Sequence, residues 1–207
     1  MGRNRPGIGF SVPDGVRACR GGDELARGSP QQRAAAAVLV LRRGRSVRMA
    51  DLVAALGEAP PRRAESMVRT YVWRLRHLLE PGRTPGAAWQ VLRSVPGGYL
   101  LHLDEDSVDL ELFERRVSEA RVRGAAGETA TALELFDDAL VLWPEPALTE
   151  VPGPFAETGR ARLAERRLDV VGARLEVMAG LGASAEATTE LAGLVETHPL
   201  REGCTTC

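Results

Sequence analysis

Apolar positions along this chain switch between an alternating and a helical period, and the switches mark its elements. Residues 8–28 mix Gly, Val and charge with weak alternation, which fits short strands turning at Pro13-Asp14-Gly15 and Gly21-Gly22. Ser29 and Pro30 then supply an N-cap and a first-turn proline. The helix SPQQRAAAAVLVLRR follows, with Ala34, Ala37, Val38 and Leu41 on one face and Gly44 closing it. Ser46-Val47-Arg48 reads as a short extended link, and Met49–Leu56 as a second short helix buried through Leu52, Val53 and Leu56. Gly57 to Pro61 breaks that helix. The clearest stripe lies in a third helix, about Arg63–Leu79, where Val68, Val72, Leu75 and Leu79 repeat at helical spacing. Its opposite face presents Arg69, Thr70, Trp73, Arg74, Arg76 and His77. Beyond Pro81-Gly82, WQVLRSVPGGYLLHL predicts a β-hairpin around Pro96-Gly97-Gly98.

From residue 104 onward only the helical period remains. Leu110, Phe113, Val117 and Ala120 mark one helix, and a break at Gly124–Gly127 leads to a second over Thr129–Leu142. In that second helix Ala132, Leu135, Phe136, Ala139 and Leu140 face inward. A Pro-rich link, WPEPALTEVPGPF (143–155), carries the chain to a long helix from about Ala156 to Leu181 and another over about Ser184–His198. Consecutive helix pairs with Ala at the close contacts resemble tetratricopeptide-type (TPR-like) stacking, which generally binds protein. A four-helix bundle that dimerises or packs on the first domain is the alternative. The expected fold class is mostly α with a small β-sheet and hairpin: a winged helix-turn-helix over residues 1–103 and a TPR-like α-helical domain over 104–207.

Charge sharpens this division. Residues 1–103 carry 17 Arg against 7 Asp and Glu, whereas residues 104–207 carry 10 Arg against 21 acids. The near-neutral total of −1 conceals the contrast. All 27 basic residues are Arg, as a GC-rich coding sequence favours, but codon bias does not explain why acids avoid the first half. A basic half is the electrostatic footprint of a polyanion, most often nucleic acid. The acidic half meets protein more readily.

Several function classes drop out. No apolar run approaches the ~20 residues of a membrane helix, and MGRNRPGIGF lacks the apolar core of a signal peptide, so a cytoplasmic protein is expected. Cys19, Cys204 and Cys207 make no disulfide framework, and Cys204-Thr-Thr-Cys207 lacks the two further ligands that zinc requires. His77, His102 and His198 have no metal-like spacing. Asp104/Asp106 and Asp137/Asp138 read as solvated acids near helix ends. VPGGY is a turn, since neither GxxxxGK[ST] nor GxGxxG occurs. No metal, cofactor or catalytic group is expected, and the chain does not read as an enzyme.

Three helices followed by a hairpin place the third helix in the major groove while backbone contacts hold register. Arg69, Arg74 and Arg76 have the donor fork to meet guanine O6/N7 or phosphate. The Thr70 methyl suits a thymine methyl, His77 a phosphate, and Arg93 on the hairpin a neighbouring phosphate or the minor groove. Without the helix order, the hairpin and the charge split, an Arg-rich face would read as merely solvated.

The stretch SPQQRAAAAVLVLRRGRSVRMADLVAALGEAPPRRAESMVRTYVWRLRHLLEP resembles the DNA-binding domain of the actinomycete antibiotic-pathway regulatory proteins, the SARP family, whose winged helix is of the OmpR type. DSVDLELFERRVSEAR, ALELFDDALVLWPEPALTEVPGPF and ARLAERRLDVVGARLEVMAGLG resemble that family's bacterial transcriptional activator domain. The resemblance runs from about residue 8 to 202. It implies binding to direct repeats in promoter DNA, cooperative occupancy with homo-oligomers forming on DNA, and recruitment of RNA polymerase to secondary-metabolite genes. No phosphoacceptor receiver domain accompanies it.

Departures from the family pattern carry expectations of their own. Family members usually carry Leu-Trp-Gly where this chain has Leu56-Gly57-Glu58, which is expected to loosen packing between helices two and three. Trp73 stands where a small polar residue is common; stacking on DNA sugar and obstruction of docking are both open. The family's activator domain continues beyond HPLRE, whereas this chain ends HPLREGCTTC, a tail that matches a one-base deletion in codons for RERLHHL. A truncated regulator that binds DNA competitively without activating, or a TPR-like interaction module without DNA binding, are the competing functions.

Overall fold

The computed structural model describes residues 8–12, 15–20, 23–24, 28–57, 61–104, 107–143 and 146–197. The turn residues Pro13, Asp14, Gly21 and Gly22, together with His198 and the tail through Cys204 and Cys207, lie outside them. The chain is mostly helical with two small antiparallel sheets. It divides into two compact units, residues 1–111 with 145–162, and residues 112–144 with 163–207.

The first unit opens with β1 (Ile8–Ser11), β2 (Arg17–Arg20) and β3 (Asp23–Glu24), paired antiparallel in that order. Phe10 of β1 and its register partner Ala18 of β2 are buried, as are Val12 and Val16 just beyond the strand ends, so one face of the sheet is covered. The sheet is latched to the segment ahead of the fourth helix. The Phe10 amide donates to Ser107 O at 2.6 Å, and the Asp109 carboxylate accepts the Val12 amide at 3.0 Å.

Helix α1 (Pro30–Leu41) starts as its sequence predicts, the Ser29 hydroxyl accepting the Gln32 amide at 3.3 Å, an N-cap worth ~1 kcal/mol. Its burial differs from the one-sided stripe expected. Every residue from Ala34 to Val40 is buried, so this helix is the centre of the unit rather than its lid. Consecutive alanines make that feasible, because small side chains let neighbours approach from all sides.

Ser46–Arg48 is a strand, β4, not a link. It pairs with β6 (Gly98–Leu101), which also pairs with β5 (Leu92–Val95), giving a sheet of order β4-β6-β5. The hairpin strands begin at Leu92, three residues later than the apolar pattern at Trp89 suggests. Gly97 turns the chain at φ 76°, and a Cβ on Gly98 would overlap the Val47 carbonyl oxygen, so the third strand needs glycine there. Between β4 and the hairpin run α2 (Met49–Ala54), two residues shorter than expected, and α3 (Ala64–Leu79). Ala64, Val68, Tyr71, Val72, Leu75 and Leu79 are the buried face of α3. With Leu52, Val47, Leu92, Tyr99 and Leu101 they complete a winged helix-turn-helix core.

Residues 146–162 also belong to this unit. Ala147, Leu148, Val151 and Ala156 are buried. Arg33 donates from Nε and Nη2 to Glu150 O, each at 3.2 Å, and Arg160 Nη1 donates to Leu148 O at 2.9 Å and Val151 O at 3.0 Å. A Cβ on Gly153 would stand 2.9 Å from Ala55 O, so the strap lies directly against the end of α2. What reads as a Pro-rich link is therefore packed structure, held by guanidinium bonds to carbonyls that a strand or helix would otherwise satisfy.

The second unit holds most of α4 (Asp109–Ala125), all of α5 (Thr129–Val141), the larger part of α6 (Pro154–Gly180) and α7 (Ser184–Thr197). Phe113, Val117 and Ala120 are the buried residues of α4 and Ala132, Phe136 and Ala139 those of α5, and the Phe113 ring lies 5.3 Å from Trp143. Val171 and Leu175 of α6 pack with Ala187 of α7. Arg174 bridges the helices, bonding Asp137 of α5 and Glu190 of α7; these carboxylates outweigh its burial and raise its pKa. Among the described residues no helix is long and apolar enough to cross a membrane.

Candidate nucleic-acid interface

One face of α3 is left open by the core. At about 100° per residue, the burial of Val68, Tyr71, Val72, Leu75 and Leu79 turns Ser66, Arg69, Thr70, Trp73, Arg74 and His77 to solvent, and all six are exposed. Trp73, Thr70 and His77 occupy the middle of that arc, with Arg69 and Arg74 at its two edges.

The members of the face differ in what they have left to offer. Arg69 is engaged by Glu65 one turn earlier, Nη2 to Oε2 at 2.8 Å, an exposed pair of little net worth. Thr70 donates its hydroxyl to Ser66 O at 3.0 Å, so its methyl is the part free to meet a ligand. Arg74 makes no hydrogen bond or ion pair among the described residues. Trp73 is 59% exposed. His77 Nδ1 lies 2.8 Å from Trp73 O; because a carbonyl only accepts, Nδ1 carries the proton. The imidazole also lies against the indole, centroids 4.1 Å apart.

Arg76 is placed apart from these residues. Its guanidinium turns to the hairpin, donating from Nε to Leu92 O and from Nη2 to Ser94 Oγ, both at 2.8 Å. It stands 5.5 Å from the rings of both Trp89 and Tyr99. Burial lowers its pKa from the usual guanidinium value, with Tyr99 and Glu80 opposing. Arg93, on β5, is exposed and donates Nε to Gln90 O at 2.9 Å.

Three features escaped the sequence reading. Trp89 backs His77 at 5.2 Å and lies under Arg83 at 4.1 Å, extending an aromatic and cationic ladder from the middle of α3 into the loop before β5. Glu80 closes that loop, its carboxylate accepting the amides of Gln90 and Val91. Arg62 and Arg63 are exposed at the entry to α3, where the positive end of the helix dipole disfavours cations unless an anion joins them. A cationic pair just ahead of an amphipathic helix was the available signal for the last. Three other arginines of the unit are engaged by carboxylates: Arg42 and Arg48 share Asp51, and Arg43 pairs with Glu111.

The chain and its fold have close counterparts. The profile of the bacterial transcriptional activator domain matches residues 108–206. The chain is 45% identical over 195 residues to regulatory protein AfsR of Streptomyces coelicolor, covering 93% of this chain and 19% of that protein. The chain belongs to the SARP family. Transcriptional regulator RedD of the same organism is 37% identical over 168 residues, covering 80% of this chain and 48% of the relative. A structure of Mycobacterium tuberculosis EmbR in complex with a low-affinity phosphopeptide superposes with a TM-score of 0.86 at 30% identity, over 95% of this chain and 52% of that one. This SARP chain thus spans from about a fifth to about half the length of the relatives it matches. Those relatives are named as regulators, not as enzymes. Among the described residues no cluster of His, Cys, Asp and Glu could hold a metal ion.

Proposed function

We propose that this SARP-family chain is a sequence-specific DNA-binding transcriptional regulator that lays the outer face of α3 in the major groove of promoter DNA. The observation that carries the reading is the exposed arc of Arg69, Thr70, Trp73, Arg74 and His77 on the third helix of a winged helix-turn-helix. Arg62 and Arg63 meet phosphate at the helix N-terminus, where an anion relieves the unfavourable dipole interaction. Arg93 on the wing meets a neighbouring phosphate. Arg76 supports docking indirectly, by tying α3 to the hairpin. The helical unit, with 8 Arg against 13 acids over residues 112–144 and 163–207, is unsuited to a polyanion and meets protein. RNA polymerase is the partner we assign to it. Binding to direct repeats, association of copies on DNA, and activation of an antibiotic-type gene cluster complete the proposal.

The test is fluorescence anisotropy of the full chain with DNA from upstream of its own gene, against a scrambled duplex. Preferential binding is expected. Neutralisation of about four phosphates, by Arg62, Arg63, Arg74 and Arg93, gives on the order of a hundredfold loss of affinity between about 50 and 200 mM salt. Equal affinity for both duplexes, or affinity indifferent to salt, refutes the reading.

A further inference from the structure

Trp73 is anomalous by composition and by placement. It is the large apolar side chain that the first unit leaves exposed, at 59%; the others exposed among the described residues, Val122, Val141 and Leu181, lie in the second unit. It sits in the middle of an otherwise polar and cationic arc. Exposing an indole to water is unfavourable, and this one is also held in place. His77 lies against it at 4.1 Å, anchored by Nδ1 to the Trp73 carbonyl and backed in turn by Trp89 at 5.2 Å. An indole fixed in this manner is a preorganised apolar contact surface.

The chemistry of the groove narrows what that surface meets. A base pair's major-groove edge offers acceptors and donors, and one sizeable apolar group, the C5-methyl of thymine. Sugars line the groove walls, which the edges of the helix arc approach and its middle does not. Thr70, on the next turn back along the same middle strip, has its hydroxyl committed to Ser66 O and contributes a second methyl-sized apolar surface. Arg69 and Arg74 flank the pair on either edge.

We propose that Trp73 and the Thr70 methyl form one apolar strip that reads thymine C5-methyl groups, making the operator thymine-dependent at the centre of each half-site. This rests on the DNA-reading proposal above. It assigns a specificity role to the residue whose bulk otherwise looks obstructive.

The experiment selects a preferred duplex from a random pool with the full chain, then replaces each thymine in turn by deoxyuracil, which removes the methyl alone. At one or two positions affinity is expected to fall about three- to fivefold per methyl, as burial of one such group implies. Trp73→Ala, at an exposed position that tolerates truncation, is expected to erase that thymine–uracil difference while the chain still prefers the selected duplex to a scrambled one. Unchanged affinity for every uracil duplex overturns the inference and leaves the DNA-reading proposal standing. So does a Trp73→Ala chain that binds all duplexes proportionally more weakly with the thymine preference intact; the indole then rests on sugar. A full chain that selects no sequence overturns both.

Discussion

Arg74 and Arg76 lie two residues apart on one helix and have opposite environments. On the outer face, Arg74 is exposed and makes no bond among the described residues, beside an indole that the core does not use. On the inner edge, Arg76 is half-buried, bonded to Leu92 and Ser94, and shielded by two aromatic rings. The same side chain is thus a ligand-facing group in one place and a tie between helix and wing in the other. What separates them is about 200° of helix rotation and the hairpin that folds back over one edge.

The contrast can be broken from its inner side first. Arg76→Ala removes two charge-assisted bonds at a half-buried site and is expected to cost about 2–3 kcal/mol of stability in urea or thermal unfolding. A change under about 0.5 kcal/mol would mean that the hairpin holds without it. Arg74→Ala should do the reverse. Stability stays within about 0.5 kcal/mol, as for surface substitutions, while affinity for the preferred duplex falls about tenfold or more. A stable variant with undiminished affinity would remove Arg74 from the interface.

Smaller effects sharpen the comparison. Ser94→Ala leaves Nη2 of Arg76 to water and is expected to lower stability by about 1 kcal/mol, without changing the salt dependence of binding. Glu65→Gln releases Arg69 from its exposed pair and removes a negative charge from the DNA-facing side. Affinity should rise about two- to threefold at low salt, and less as salt screens the contact. An affinity decrease would show that Glu65 positions Arg69 for binding.

The smallest effect is in the pH dependence. Hydrogen bonding from Arg48 holds the Asp51 carboxyl below the usual carboxylate range, with both Arg48 and Arg42 adding attraction. A carboxyl whose pKa is lower in the folded state than unfolded stabilises the fold above the unfolded value. That contribution is lost as pH falls from about 4 through the folded value. The pairs are largely exposed, so the loss should stay below about 1 kcal/mol and be absent in Asp51→Asn. A pH profile identical in both chains counts against the linkage.

How far the sequence revealed this division follows from what periodicity measures. The 3.6-residue stripe of Val68, Val72, Leu75 and Leu79 located α3 to within a residue and separated its buried face from its outer face. The stripe is silent about neighbours distant in sequence, and so grouped Arg76 with Arg69 and Trp73, although the hairpin claims it. The same limit explains β4. Three residues, Ser46–Arg48, carry too little alternation to announce a strand, and only pairing with β6 makes them one. The burial of α1 on all sides was hidden because alanine counts as weakly apolar on any face. Pro and Gly signalled the irregular backbone described over residues 146–153, though α6 begins at Pro154, inside the expected link, and nothing in the pattern revealed that Arg33 and Arg160 fasten this stretch to the first unit.

That last feature also revises the electrostatics. Counted by structural unit, the first carries 19 Arg against 15 acids, a smaller excess than the 17 against 7 of residues 1–103. Local placement on α3 and the wing therefore carries the argument for DNA binding further than net charge does.

The most direct test uses the unaltered chain. Arginine side chains would be modified with phenylglyoxal, with and without saturating preferred duplex, and the extent at each position read by mass spectrometry. Arg74 is expected to react rapidly in the free chain and to be protected by DNA, whereas Arg76 reacts slowly in both. An Arg74 that remains equally reactive in the saturated complex would contradict the assignment of the outer face of α3 to DNA.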